Sequence, residues 1–214
     1  MASGGGTGTG AQGVPGPVDV ADARPVLSHE LLHDGKVWDL VSDVVDLGDA
    51  RVVREYVDHP GAVAVIALDD EDRVLLLSQY RHPARHVVWE PPAGLLDVDG
   101  EDPADAAARE LAEEADLRAG SWWRLLDFFT TPGGSNEHIV VYLARDLSPV
   151  PDDERFARTD EEAGMVPAWV PLDDAVEAVL TGRLHSPTAV SGVLAADAAR
   201  ARGWTTLVPV ERRS

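Results

Sequence analysis

Three closely spaced glutamates, Glu110, Glu113 and Glu114, are the side chains of this chain best suited to chemistry. On a helix, Glu110 and Glu114 would lie one turn apart on the same face, with Cβ atoms roughly 5–6 Å apart. Like charges at that spacing destabilise an isolated helix. Mg²⁺ reverses this effect, because it binds carboxylate oxygens and leaves positions open for water and phosphate. The alternative is a solvated acidic face, which is the commoner role of an arbitrary glutamate pair.

The residues before these glutamates predict the helix that would hold them. Asp102 is a good N-cap, and Pro103 suits the first helical position, where a missing N–H does no harm. Asp105 adds negative charge to the first turn, and alanines fill most of the positions that follow. Leu111 is the expected apolar anchor. The carboxylates are therefore predicted to lie on one helix that packs against a sheet.

The spacing of residues 94–117 resembles the Nudix box of the Nudix hydrolases. That pattern runs Gly, five residues, Glu, seven residues, then Arg-Glu-apolar-any-Glu-Glu-any-Gly-apolar. Gly94 opens the match, and seven residues separate Glu101 from Arg109. The positions that follow in register are Glu110, Leu111, Glu113, Glu114 and Leu117. Two features depart from the pattern: six residues separate Gly94 from Glu101, and Asp116 stands where the family has Gly. Asp116 is expected at the helix C-terminus, where a left-handed residue is common.

Three further segments narrow the resemblance to the ADP-ribose pyrophosphatases. They are residues 79–81 (Gln-Tyr-Arg), 89–94 (Trp-Glu-Pro-Pro-Ala-Gly) and 132–137 (Pro-Gly-Gly-Ser-Asn-Glu). The resemblance, which covers about residues 27–205, implies an α/β fold, the Nudix α/β/α sandwich with a mixed sheet, plus an N-terminal antiparallel sheet. In that group this sheet is exchanged across a homodimer and helps form the adenine pocket. The implied reaction is Mg²⁺-dependent hydrolysis of ADP-ribose to AMP and ribose 5-phosphate.

The same resemblance implies a set of metal ligands. The backbone carbonyl of Ala93 and the carboxylates of Glu110 and Glu114 are expected to bind Mg²⁺, for which Mn²⁺ is a substitute. Glu113 is expected to join a further metal ion or to support the other ligands. All of these are oxygen ligands, and a dense oxygen site favours Mg²⁺ over Zn²⁺.

Four residues are predicted to be catalytic: Glu161, Glu162, Glu113 and Arg109. Arg109 is expected to orient a box carboxylate such as Glu101 through a salt bridge, and the alternative is a surface pair with Glu113. The family also draws an acidic residue from a loop far downstream, as general base or last metal ligand. Glu161 is the first candidate for that role and Glu162 the second, and the alternative is a plain acidic loop.

Five residues are predicted to bind substrate. Arg81 is a candidate phosphate clamp, and Arg54 is a weaker one. Glu137 is expected to contact substrate or metal, and Gly94 adjoins the site as the first residue of the box. Trp38 could stack on a base, although an aromatic residue in a strand more often belongs to the core.

The elements that must position these residues follow from the pattern of apolar residues. Residues 1–24 are rich in Gly, Thr, Ala and Pro and predict a disordered tail. Residues 25–58 are assigned to the N-terminal β-sheet region, residues 59–205 to the Nudix hydrolase domain, and residues 206–214 to a C-terminal tail. The predicted strands are residues 37–41, 43–47, 51–57, 62–68, 74–80, 87–90, 122–130, 137–145 and 166–170. The predicted later helices are residues 172–181 and 187–202, the second with Ser186 as N-cap.

Composition limits the partners and the compartment. The chain has 214 residues, no cysteine and a formal net charge of -20, so a nucleic-acid backbone would be repelled by most of the surface. The absence of cysteine fits a reducing cytoplasm, and no apolar run approaches the roughly 20 residues of a membrane span. The expected protein is a cytoplasmic homodimer that acts on a small molecule.

Two other functions stay open from the sequence. The nearer one is a Nudix pyrophosphatase for another nucleoside diphosphate sugar or dinucleotide. The more distant one is a non-catalytic ADP-ribose sensor with the same fold. Such sensors often lose box carboxylates and carry a DNA-binding domain, whereas this chain keeps Glu110, Glu113 and Glu114 and is strongly acidic. The enzyme is therefore the favoured interpretation.

Overall fold

The computed structural model describes residues 16–158 and 164–210, which form eleven strands and three α-helices in that part of the chain. The strands are β1 Val26–His33, β2 Asp39–Asp46, β3 Arg51–Asp58, β4 Ala62–Ala67, β5 Arg73–Arg81, β6 His86–Glu90, β7 Ala93–Leu95, β8 Leu117–Phe129, β9 His138–Pro149, β10 Val166–Pro171 and β11 Val208–Pro209. The helices are α1 Pro103–Ala115, α2 Leu172–Leu180 and α3 Pro187–Ala201.

A five-stranded mixed sheet in the order β11-β8-β9-β4-β7 forms the middle layer. Strands β4 and β9 run parallel, and the other pairs are antiparallel. Every residue of β4 is buried, as its continuous apolar run predicts for a strand covered on both faces. Val63 and Val65 pack with α1, whereas Ala64 and Ile66 pack with α2 and α3. The sheet therefore lies between helical layers, and the α/β/α sandwich is confirmed.

A second sheet contains three strands in the order β10-β5-β6, and β6 leads into β7 of the middle layer. It is antiparallel, and Leu77 in β5 pairs with Glu90 at the end of β6. The chain then passes through Pro91 and Pro92, and β7 pairs with β4 in the central sheet. This short crossing brings Ala93 to the edge of the central sheet.

The N-terminal antiparallel sheet contains β1, β2 and β3. No strand run was predicted over β1, whose eight residues are all exposed and whose pairing with β2 has two irregularities. The two runs predicted at residues 37–41 and 43–47 form a single strand, β2. Asp43 lies inside that strand because its carboxylate is satisfied by the Tyr56 hydroxyl at 3.0 Å and the His29 Nδ1 at 2.7 Å.

The predicted tails are only partly described. Residues 1–15 and 211–214 lie outside the described residues, and residues 16–24 are exposed and contain no helix or strand. Val208 and Pro209, within the predicted C-terminal tail, form β11 and pair with β8 at the edge of the central sheet.

The helix ends follow local chemistry. The Asp102 carboxylate accepts a hydrogen bond from the Ala104 N–H at 2.9 Å, and α1 begins at Pro103 as predicted. Asp116 ends α1 with φ 54° and ψ 36°, the left-handed conformation expected there. Ser186 precedes α3, but its hydroxyl pairs with Thr188 Oγ1 and does not cap the backbone. Among the described residues, none of the helices combines the length and apolarity that a membrane crossing requires.

Candidate active site

Strand β7 lies directly against the acidic face of α1. The Ala93 N–H donates to Glu114 Oε2 at 2.9 Å. The Glu110 side chain passes so close to Gly94 that a Cβ at position 94 would lie 2.0 Å from Glu110 Oε1 and 2.1 Å from its Cδ. A side chain at position 94 would therefore displace the Glu110 side chain, which is only 9% exposed, from the space that it occupies. Both glutamates of the predicted metal site thus approach the backbone of residues 93–94.

Arg109 joins the box carboxylates in one network. Its Nε and Nη2 donate to the two carboxylate oxygens of Glu101 at 3.1 and 3.0 Å, which makes a bidentate salt bridge. Its Nη1 donates to Glu110 Oε1 at 2.7 Å and to Glu113 Oε2 at 3.3 Å. Both of the partners considered from the sequence, Glu101 and Glu113, are therefore in contact with Arg109. The hydrogen bonds from Arg109 hold the pKa of Glu101 below its ordinary value, and the pairing raises the pKa of Arg109 still further.

The extra residue between Gly94 and Glu101 does not prevent this contact. The chain turns at Asp99 and Gly100, and Gly100 has a φ of 77°, which glycine adopts without strain. The insertion is absorbed in this turn, so Glu101 still reaches Arg109.

The donor set suits a hard cation better than a transition metal. The described residues contain no group of three or more His, Asp or Glu side chains arranged to hold a metal ion. Mg²⁺ does not need such a group, because it keeps several waters and takes one or two carboxylates together with substrate phosphates. Glu110 and Glu114, with backbone oxygens near Ala93, therefore fit Mg²⁺ by ligand type.

A cleft of about 620 Å³ opens beside β7. It is lined by four of the five predicted substrate-binding residues and by the predicted metal ligand Ala93: Trp38, Arg81, Ala93, Gly94 and Glu137. Trp38 is 47% exposed, so it does not belong to the core and its ring is accessible from the cleft. The volume lies within the range of about 300–1,000 Å³ typical of small-molecule sites.

Arg81 has a carboxylate partner that the sequence did not reveal. Its Nε and Nη2 both lie 2.8 Å from Glu90 Oε2, across the β5–β6 pair. Glu90 also lines the cleft. The register pairs Glu90 with Leu77 and Arg81 with His86, so the contact is made by the long Arg81 side chain, which runs back along the β5–β6 hairpin to Glu90.

Glu137 is held by two residues that sequence reasoning missed. The Thr130 hydroxyl donates to Glu137 Oε2 at 2.5 Å, and His59 Nε2 lies 3.7 Å from Glu137 Oε1. The Gly61 N–H donates to His59 Nδ1 at 3.0 Å, so the ring proton is on Nε2, the nitrogen that faces Glu137. Thr130 follows the end of β8 and Glu137 precedes the start of β9, so the two residues face each other across the hairpin loop. No sequence motif indicates this contact.

Three groups of predicted residues are not among those that line this cleft. The first is Arg109, Glu110, Glu113 and Glu114 on α1, of which Glu110 and Glu114 contact the backbone of residues 93–94. Arg54 lines a separate cavity of about 370 Å³ between β3 and the loop at residues 132–136. Glu161 and Glu162 lie outside the described residues. The structure therefore brings Ala93 and four of the five predicted substrate-binding residues to the cleft and leaves Arg54 apart.

Known proteins resemble this chain in both sequence and structure. A family model described as the NUDIX domain matches residues 58–189. The ADP-ribose pyrophosphatase of Mycobacterium tuberculosis is 44% identical over 80% of this chain and 82% of its own length. The ADP-ribose pyrophosphatase of Bacillus subtilis is 37% identical over 72% of this chain and 81% of its own. A solved structure described as an ADP compounds hydrolase has a TM-score of 0.70 at 19% identity, over 87% of this chain and 99% of its own, and supports the fold.

Proposed function

The chain belongs to the Nudix family, and we propose that it hydrolyses ADP-ribose to AMP and ribose 5-phosphate with Mg²⁺ bound beside α1. The observation that carries the proposal is the contact of β7 with Glu110 and Glu114 at the edge of a 620 Å³ cleft. The names of the two pyrophosphatases similar to this chain support the choice of substrate.

The proposed metal ligands are the Ala93 carbonyl, Glu110 and Glu114, with Glu113 as support. When bound, Mg²⁺ neutralises pyrophosphate charge and lowers the pKa of the attacking water. Mn²⁺ prefers the same oxygen ligands and is proposed as its substitute. Arg109 orients this set, because one guanidinium contacts Glu110 and Glu113 directly.

The remaining steps are assigned to the chain's own side chains. Arg81 is proposed to bind a phosphate oxygen, Trp38 to stack on the base, and Glu137 to accept hydrogen bonds from sugar hydroxyls. Arg54, which lines the separate cavity, is proposed for an outer part of the substrate. These residues would hold the pyrophosphate beside α1 and orient its two halves along the cleft.

A carboxylate must take the proton of the attacking water. Glu161 is proposed for this role, with Glu162 as the second candidate. Both assignments rest on the sequence alone, because these residues lie outside the described part of the chain.

A cytoplasmic homodimer is also proposed. The support is the exposed β1 strand of the N-terminal sheet, where large apolar side chains are 42–51% exposed. They are Val26, Leu27, Leu31 and Leu32. Exposed apolar groups on a sheet favour contact with another protein surface, and a second copy of the chain is the partner that the family resemblance implies.

The direct test is an assay of the purified protein with ADP-ribose and related nucleoside diphosphate sugars, with and without Mg²⁺. We expect AMP to appear from ADP-ribose only when Mg²⁺ is present. Absence of Mg²⁺-dependent AMP would refute the proposal. Faster turnover of another nucleoside diphosphate sugar would keep the reaction type and replace the substrate.

A further inference from the structure

The C-terminal end of α1 carries an unfavourable concentration of negative charge. Glu113 and Glu114 lie in its last turn, Asp116 caps it, and the last turn contains no basic residue. The carbonyl groups at this end of a helix also carry partial negative charge and lack helical partners. Arg109 reaches Glu113 from the preceding turn, and a cation from elsewhere in the chain would stabilise Asp116 and the last carbonyls.

Arg158 supplies that cation from a segment far downstream. Its Nε donates to the backbone carbonyl of Glu113 at 3.0 Å, and its Nη2 contacts Asp116 Oδ2 at 2.5 Å. The Arg158 and Asp116 side chains are 28% and 25% exposed, so the pair is partly shielded from water. One guanidinium therefore satisfies a carbonyl in the last turn and pairs with the residue that ends the helix.

Asp116 occupies its position at two costs that glycine would avoid. Its φ of 54° is a left-handed conformation that disfavours residues with a Cβ. Its Oδ1 is buried and has no hydrogen-bond partner among residues 16–158 and 164–210. The contact of Asp116 Oδ2 with Arg158 is the interaction of this carboxylate that offsets them.

We infer that Arg158 and Asp116 form a clamp, the Arg158–Asp116 pair, that holds the last turn of α1 in place. They are positioning residues for the carboxylates of Glu113 and Glu114, and neither touches the substrate. Glu114 lies two residues before Asp116, so fraying of this turn would move its carboxylate away from the Ala93 N–H. The inference rests on the proposed function, in which these carboxylates bind the metal ion.

Asp116→Gly is the decisive variant because the clamp predicts opposite effects on stability and on metal binding. Glycine adopts the left-handed conformation freely and leaves no buried carboxylate oxygen. We expect a melting temperature equal to or above that of the unsubstituted chain. We expect the affinity for Mn²⁺, titrated by electron paramagnetic resonance without substrate, to fall about 10-fold or more, with a similar loss in kcat/KM. Unchanged Mn²⁺ affinity in this variant overturns the inference.

Two other variants keep the result interpretable. Arg158→Gln should weaken Mn²⁺ binding at least as much, because it also removes the hydrogen bond to the Glu113 carbonyl. Adding Asp116→Gly to it should cause no further loss, because the Arg158–Asp116 pair is already gone. If Asp116→Gly lowers the melting temperature, Asp116→Asn separates loss of the ion pair from loss of stability. Asn tolerates the left-handed conformation and removes only the charge. Additive losses in the double variant, or full Mn²⁺ affinity in Asp116→Asn, contradict the clamp.

The matched control is Arg155→Gln, which removes a neighbouring arginine that pairs with the exposed Asp152. Its Mn²⁺ affinity and turnover should match those of the unsubstituted chain. Turnover of Glu110→Gln tests the proposed function independently of the Arg158–Asp116 pair. If Glu110→Gln keeps full turnover, the catalytic assignment fails, whereas the Mn²⁺ titration of Asp116→Gly still reports on the clamp.

Discussion

The two walls of the cleft are built in different ways. One wall contains β7, which α1 holds from behind: the side chain of Glu110 fills the space beside Gly94, and Glu114 accepts a hydrogen bond from the Ala93 N–H. On the other wall, Trp38 and Glu137 come from separate segments and are more exposed. The β7 wall, which is proposed to hold the metal ion and is called the chemical wall, is ordered by local packing. The wall with Trp38 and Glu137, which is proposed to bind substrate and is called the recognition wall, depends on how distant strands align.

Removal of the α1 carboxylates behind the chemical wall should have the largest effect on turnover. Glu110→Gln and Glu114→Gln keep the shape of the side chain and remove the charge that a divalent cation needs. We expect turnover of ADP-ribose to fall by orders of magnitude, while circular dichroism and the melting temperature show a retained fold. Near-normal activity in both variants would show that the metal site lies elsewhere.

Gly94→Ala tests whether the close contact itself matters. The added Cβ would overlap the Glu110 carboxylate, so one of the two must shift. We expect a loss of about 1–3 kcal/mol in the free energy of unfolding, measured in urea, together with weaker activation by Mg²⁺. Gly133→Ala is the control for stability, because a Cβ there meets no atom within 4 Å. Equal behaviour of the two variants would contradict the tight packing of this wall.

Arg109→Gln tests the electrostatic part of the same wall through pH. Arg109 lowers the pKa of Glu101 from an ordinary value of 4.5, so their pairing stabilises the fold fully above that pH. The stabilisation is lost as the pH falls through the lower folded-state pKa. We expect the variant to lose about 1–3 kcal/mol in unfolding free energy near pH 7 and the difference to shrink below about pH 4.5.

The control for that experiment is an exposed pair. Arg118→Gln removes a contact with Glu154 in which both side chains are about half exposed, so its cost should stay below about 1 kcal/mol. A pH-independent cost for Arg109→Gln would mean that packing, and not the pairing with Glu101, accounts for its contribution.

The recognition wall should give the smallest effect. Trp38→Ala removes a ring that is proposed to stack on the base, an interaction worth about 1–3 kcal/mol and, for an exposed ring, near the lower end. We expect KM for ADP-ribose to rise about fivefold with kcat nearly unchanged. Trp38→Phe should restore most of the affinity because it keeps an aromatic face. A fall in kcat without a change in KM would place Trp38 on the chemical wall instead.

The elements behind the chemical wall were predictable because the residues that specify them are close together in sequence. Asp102 and Pro103 specify the start of α1, and Asp116 takes the left-handed conformation expected at its end. The pattern of apolar residues also predicted β4 as a strand buried on both faces. Each of these inferences uses residues within a few positions of one another, where helix and strand geometry fix the outcome.

The other wall was less predictable because its partners are distant in sequence. The Arg81 side chain reaches Glu90 along the β5–β6 hairpin, although Glu90 pairs with Leu77 in the register. His59, just before β4, contacts Glu137, just before β9. Strand β1 gave no signal, since its exposed residues do not alternate between buried and solvated positions. Such placements depend on the whole sheet arrangement, which no single stretch of sequence specifies.

The parallel pairing of β4 with β9 also has a consequence for the order of folding. β4 is the most buried strand of the central sheet, yet its parallel partner follows only after β5, β6, β7, α1 and β8. Pairing between such distant segments closes a long loop and slows folding, whereas the β8–β9 hairpin needs only a short connection. During synthesis, α1 therefore leaves the ribosome before the strand that completes the core beneath it. A pause or truncation before β9 would leave the apolar β4 strand exposed and prone to aggregation.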